Sequence, residues 1–246
     1  MFFRAVLRGL LSLALFLLGS KRVTGYEHVP ASGPFIVVTN HMSVADAPLL
    51  FLVFPHLRLR FFAGEKWERH IIFGPIMKAV GAIYINRGEV DRRALREALN
   101  ALASGSVFGL APEGTRSRVR HLIEAKEGAA YLASRAQVPI LPMGVVNTDV
   151  IWENALRLRR TRLEVHIGKP FTLPVGKRAK GPELEAATHL IMVHIASLLP
   201  ERYHGAYADS PALAALQRGE DPWPYCLAVA RNREPEPEPA PPTEQP

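Results

Sequence analysis

From Phe35 onward the chain alternates short apolar or β-branched runs with stretches of helical spacing. "FIVVT" (35–39), "LRFFA" (59–63), "AIYIN" (82–86), "SVFGLA" (106–111) and "PILPMGVV" (139–146) have the length and composition of strands. Between the third and fourth, "EVDRRALREALNALASG" sets Val90, Ala94, Leu95, Ala98, Leu99 and Leu102 on one face, the period of an amphipathic helix. Strands separated by helices predict a single α/β domain whose largely parallel or mixed central sheet is flanked by helices. A later run, "RLEVHIG" (162–168), alternates apolar and polar positions and is expected at a sheet edge with one buried face. "ELEAATHLIMVHIASLL" (183–199) reads as a further amphipathic helix.

The first 22 residues follow a different pattern. "MFFRAVLRGLLSLALFLLGSKR" is apolar from Gly9 to Gly19, with Arg4 and Arg8 before that run and Lys21 and Arg22 after it. A membrane-spanning helix needs about 20 predominantly apolar residues, more than this run supplies. Basic residues at both ends predict a helix that lies in, or dips into, an anionic lipid surface. A helix capping the core is the competing reading, and "GSKRVTG" lacks the small-residue pattern of a signal-peptide cleavage site. The organisation expected is therefore an N-terminal membrane-associating helix (1–22), one globular domain (23–233) and a disordered Pro/Glu tail (234–246).

Composition limits the chemistry only partly. A single cysteine, Cys226, rules out an intramolecular disulfide, and no Cys/His cluster has zinc spacing. Net charge is +7, and the 234–246 tail holds four glutamates and no basic residue, which leaves the remaining body at +11. Such a body attracts nucleic acid, anionic lipid or phosphorylated substrates, and charge alone does not choose among them.

Three polar clusters sit just after predicted strands: His41 and Asp46 after the first, Arg87 after the third, and "PEGTRS" (112–117) after the fourth. Ligands of open parallel sheets bind beyond the carboxyl ends of the strands, so these clusters are candidates for one cleft. Pro48 is tolerated only in a first helical turn, which predicts a helix starting near Ala45 or Asp46 with His41 on the loop before it. Each cluster also has a plain structural reading. Ser43 with Asp46 resembles a capping box, "PEGTRS" has the residues of a surface turn, and Arg87 could be a solvated strand end. As an anion site, the amides near Gly114 and Thr115, the Thr115 hydroxyl and the Arg116 fork would converge on phosphate oxygens.

Taken together, these residues closely resemble the glycerolipid acyltransferase family, the lysophosphatidic acid acyltransferases in particular. The likeness rests on "NHMSVAD", "GAIYINR", "PEGTRS" and "VPILP", in that order and spacing, with support from Lys66 and from "AKEGAAYLA" around Lys126 and Gly128. It covers roughly Val23 to Val146, and departs where a Phe commonly precedes PEGTRS and Ala111 stands instead. The resemblance implies transfer of a fatty acyl group from acyl-CoA or acyl carrier protein to the sn-2 hydroxyl of lysophosphatidic acid. His41 would be the general base and Asp46 its partner, as in a serine-hydrolase triad with the substrate hydroxyl in place of the serine. Arg87 and Arg116 would hold the acceptor phosphate, and Glu113, Gly114 and Thr115 would shape the pocket. It implies no metal, no bound cofactor and no nucleic-acid partner, and a peripheral or monotopic place on the cytoplasmic face of the cell membrane. Rival readings are an acyltransferase for glycerol 3-phosphate, another lysophospholipid or an amino lipid, a non-catalytic lipid-binding protein, and a hydrolase using Ser43. The chain has no G-x-S-x-G elbow to support the last.

Overall fold

In the computed structural model, which describes residues 2–71, 73–86 and 91–232, the apolar runs become a seven-stranded sheet. Its strands are β1 (Gly19–Thr24), β2 (Ile36–Thr39), β3 (Leu59–Gly64), β4 (Ala82–Ile85), β5 (Val107–Leu110), β6 (Ile140–Val146) and β7 (Thr161–Ile167). The helices are α1 (Phe2–Leu18), α2 (Asp46–Val53), α3 (Phe73–Val80), α4 (Arg92–Ala103), α5 (Gly128–Ala136), α6 (Ile151–Leu156), α7 (Pro182–Ala196), α8 (Pro211–Gln217) and α9 (Trp223–Asn232). Arg87, Val90 and the 234–246 tail lie outside the described residues.

Strand order is β1-β7-β6-β2-β5-β3-β4. β2 pairs in parallel with β5 and β6, and β3 does so with β4 and β5, whereas β7 runs antiparallel to β6 and β1 runs parallel to β7. The strands near the centre read as continuous apolar runs because both of their faces are covered. Ile36 and Val38 enter one core cluster with Ala94, Ala98 and Leu102 of α4 and Leu132 of α5. Phe35 and Val37 enter the other with Leu49, Leu50, Val53 and Phe54. The predicted helical stripe is thereby accounted for at Ala94, Ala98 and Leu102, all fully buried, with Leu95 and Leu99 partly buried beside them. Truncating Leu102 to alanine would cost about 2 to 5 kcal/mol, the usual range for a well-packed core leucine.

Three expectations change. β7 is not an edge strand: β1 pairs along it from Gly19↔Thr161 to Thr24↔His166, and β1 is the edge. Its alternation does reflect one buried face, with Thr161, Leu163, Val165 and Ile167 inward. The N-terminal helix ends at Leu18 rather than near residue 22, because "GSKRVT" has already turned into β1, whose exposed Lys21 and Arg22 discourage pairing with another chain. α7 is buried on nearly every side instead of along a stripe, since α5, α8 and α9 pack around it.

α1 itself is amphipathic. Phe3, Val6, Leu10, Leu13 and Leu17 form an exposed apolar row at helical spacing, while Leu15 packs on the core. Arg4 and Arg8, expected to face lipid, turn toward α2. Both guanidinium groups lie over the Phe51 ring, at 5.7 and 5.1 Å, and Arg8 also donates to the Pro55 carbonyl. Among the described residues, no helix is long and apolar enough to cross a membrane.

Candidate active site

The strand-end loops after β2 and β5, which neighbour each other in the sheet, are joined by hydrogen bonds. Asn40, only 1% exposed, closes β2 by imitating a further strand residue. Its Nδ2 donates to the Val145 carbonyl and its Oδ1 accepts the Val145 N–H, both at 2.8 Å. That side-chain bridge to β6 satisfies the ladder and lets the backbone turn away at His41.

α2 begins at Asp46, as the position of Pro48 requires. The Asp46 carboxylate serves both the structural and the functional reading. Its Oδ2 accepts the backbone N–H groups of Met42 and Ser43, each at 2.8 Å, which folds the loop, and also meets Nδ1 of His41 at 2.8 Å. Because an ionised carboxylate only accepts, Nδ1 carries the proton and Nε2 keeps its lone pair. Asp46 is buried, whereas the His41 ring is about one-fifth exposed and lines a cavity. The Asp46 Oδ1 atom is buried with no hydrogen-bond partner among the described residues.

The PEGTRS loop supports this arrangement from behind. Glu113 is 1% exposed, and its two oxygens accept the N–H groups of His41 at 2.8 Å and Ile123 at 3.1 Å. Burial pushes its carboxyl up to about 7, against the opposing pull of those two amides. The Ser117 N–H returns to the His41 carbonyl at 2.8 Å. Glu113 therefore holds the histidine loop in place. The Gly114 N–H is occupied by the Ala111 carbonyl at 3.0 Å, so it does not point free toward an anion. Gly114 has φ +68, and a Cβ there would lie 3.1 Å from Cδ of Lys126, whose side chain covers it. Thr115 and Arg116 follow as exposed residues. Arg87 lies outside the described residues, but Ile85 and Asn86 just before it line the same cavity as His41.

The cavity encloses about 250 Å³. His41, Asp46, Gly114 and Lys126 line it together with Leu50, Phe61, Phe62, Leu95, Gly109, Leu110 and Ala111. The room depends on small residues: a Cβ at Gly109 would sit 2.7 Å from Cδ2 of Leu50. An apolar chamber with one histidine lone pair, one ammonium group and a basic loop beside it suits a molecule with a hydrocarbon chain and an anionic head. Two contributors carried no assigned role in the sequence reading. Asn40 was legible only as half of "NH", and Lys126 only as part of a family segment.

His194 and His189 belong to the scaffold. His194 stacks on Phe171 with ring centroids 3.9 Å apart, and burial lowers its pKa to about 4. His189 meets the Ser210 hydroxyl at 2.8 Å.

The acyltransferase family model matches residues 20–146. The probable 1-acyl-sn-glycerol-3-phosphate acyltransferase of Mycoplasma pneumoniae is 32% identical over 169 residues, 66% of this chain and 62% of that protein. The 1-acyl-sn-glycerol-3-phosphate acyltransferase of Borreliella burgdorferi is 29% identical over 58% of each chain. The matched segment thus spans about six-tenths of the length of these relatives. The crystal structure of the 1-acyl-sn-glycerophosphate (LPA) acyltransferase PlsC from Thermotoga maritima superposes with a TM-score of 0.63 at 25% identity, covering 79% of this chain and 78% of that one. With the family model spanning more than half of its residues, this chain belongs to the acyltransferase family.

Proposed function

We propose that this protein transfers a fatty acyl group from acyl-CoA or acyl carrier protein to the sn-2 hydroxyl of lysophosphatidic acid, giving phosphatidic acid. The observation that carries the reading is the 2.8 Å contact from Asp46 Oδ2 to His41 Nδ1, with the ring lining an apolar cavity. The names of the relatives support the choice of acceptor.

In this reading the Nε2 lone pair of His41 takes the proton of the acceptor hydroxyl as its oxygen forms a bond to the thioester carbonyl carbon. Asp46 remains ionised and stabilises the imidazolium that results. Collapse of the tetrahedral intermediate breaks the carbon–sulfur bond, and the departing thiolate takes the proton back from His41. The apolar chamber receives the acyl chain. Arg116 and Arg87 hold the acceptor phosphate, with Thr115 beside them, and fixing that phosphate orients the reacting hydroxyl. The exposed apolar row of α1 rests in the lipid surface from which the acceptor comes, on the cytoplasmic face of the membrane as a peripheral or monotopic attachment.

Ser43 is a poor candidate for a hydrolytic nucleophile. It is buried, and its Oγ accepts the Ala45 N–H at 3.3 Å. The test is to incubate acyl-CoA with and without lysophosphatidic acid and identify the lipid product by mass spectrometry. Wild type is expected to make phosphatidic acid only with acceptor, and His41→Ala to make none while staying folded. Acceptor-independent release of fatty acid, or full activity in His41→Ala, would overturn the proposal.

A further inference from the structure

A second exposed apolar feature lies far from α1 in sequence. The end of α6 and the turn after it, "LRLRR" (156–160), present Leu156 at 88% and Leu158 at 96% exposure, and Trp152 on α6 is 51% exposed. The backbone there forms a Schellman cap. The Leu158 N–H donates to the Ala155 carbonyl at 3.0 Å and the Arg159 N–H to the Asn154 carbonyl at 2.8 Å, which places Leu158 in the left-handed region at φ +55. Glycine is the usual residue at that position, since a Cβ there crowds the following carbonyl oxygen. Leucine at Leu158 is thus unfavourable twice, in its backbone and in its hydration, and it is almost fully exposed among the described residues.

Topology places this turn beside the active site. Thr39 of β2 is in register with Met143 of β6, and Val146 at the end of β6 pairs with Glu164 of β7, so antiparallel β7 starts at the sheet end where the His41 loop leaves. Two tethers fix the turn. Arg160 donates to the carbonyls of Phe16 and Gly19 at 2.6 and 2.7 Å and lies over the Phe16 ring, which joins the turn to the end of α1. Arg120, three residues past PEGTRS, pairs with Glu153 of α6. Arg157, between the leucines, and Arg159, just after Leu158, are both exposed. They supply the cationic rim that Arg4 and Arg8, turned toward α2, do not.

We infer that the α6–β7 turn is a second membrane anchor. Leu156 and Leu158 enter the acyl boundary of a bilayer containing anionic phospholipid, and Arg157 and Arg159 engage its headgroups. With α1 it makes a two-point attachment that turns the strand-end loops toward the lipid surface. The inference rests on the membrane reading of α1 given above.

The test floats the full chain with vesicles of phosphatidylcholine and phosphatidylglycerol. Leu156→Ser with Leu158→Ser is expected to lower partition by about tenfold or more without changing the melting temperature. Leu158→Gly is expected to lower partition while melting at or above the wild-type temperature, because glycine relieves the left-handed backbone. Arg157→Gln with Arg159→Gln should weaken binding to these vesicles and leave binding to pure phosphatidylcholine unchanged. Wild type that does not float overturns the membrane reading and the inference together. Wild type that floats, is released by Leu10→Ser with Leu13→Ser, and floats equally well with serines at 156 and 158 overturns the inference alone. That outcome would leave the turn to a protein partner.

Discussion

The Glu113 carboxyl and the His41 backbone are locked together, Oε1 to N–H at 2.8 Å, so a residue of the PEGTRS loop sets the position of the residue that faces the cavity. Burial of that carboxyl, working against the bond, gives it a pH signature. With the folded-state carboxyl at about 7 and the ordinary value at 4.5, the native chain holds the extra proton between these limits. Its contribution is full below pH 4.5 and is lost as pH rises to 7, on the order of 3 kcal/mol in all.

His194 works in the opposite direction. Its folded value of about 4 lies below the ordinary 6.5, so its contribution is full above pH 6.5 and is lost as pH falls toward 4. The two slopes oppose each other between pH 4.5 and 6.5. Urea titrations at a series of pH values should show Glu113→Gln gaining stability relative to wild type as pH rises across this window, and His194→Phe losing it. Parallel profiles for both variants and wild type would show that neither group titrates as its burial implies.

Asp46→Asn separates the two tasks of one carboxylate. An amide oxygen still accepts from the Met42 and Ser43 amides, so the loop should fold with a loss of about 1 to 3 kcal/mol. It cannot stabilise an imidazolium, and turnover should fall by roughly a thousandfold or more. Single-turnover and steady-state kinetics on the folded variant check this; a rise in KM with kcat unchanged would assign Asp46 to substrate binding instead.

The central strands and the start of α2 were legible because continuous apolar runs and Pro48 carry unambiguous physical constraints. β1 was not, since "GSKRVT" has edge-strand chemistry and follows the apolar helix without a break; only its pairing with β7 defines it. The same holds within the site. Pro48 put His41 on the loop before α2, where its side chain can turn toward Asp46, but that Glu113 would spend both oxygens on backbone amides 72 and 10 residues away is a tertiary fact with no local pattern.

Asn40 illustrates that limit and yields a stability prediction. Asn40→Ala strips both partners from the buried Val145 peptide groups and should cost about 2 to 5 kcal/mol. Asn40→Asp should cost more, because its second oxygen would face the Val145 carbonyl with no proton to share. Chemical denaturation of the two variants ranks them, and equal stability of Asp and wild type would show that the bridge to β6 is not what holds β2 in place.

Ala111 lines the cavity at the position where the resembling family commonly carries Phe. A phenyl ring there would take up room in the cavity that Leu50, Phe61 and Phe62 also line and that the proposed acyl chain would occupy. Ala111→Phe is therefore expected to shift donor preference toward shorter thioesters, with kcat/KM for long chains falling at least tenfold and that for short chains nearly unchanged, since His41 and Asp46 are untouched. Competition among acyl-CoA donors of graded length, read by mass spectrometry of the product, measures this directly. Uniform loss across all lengths would mean that the ring disturbs the catalytic loop rather than the chamber, and an unchanged preference would remove the apolar cavity from the acyl-binding role.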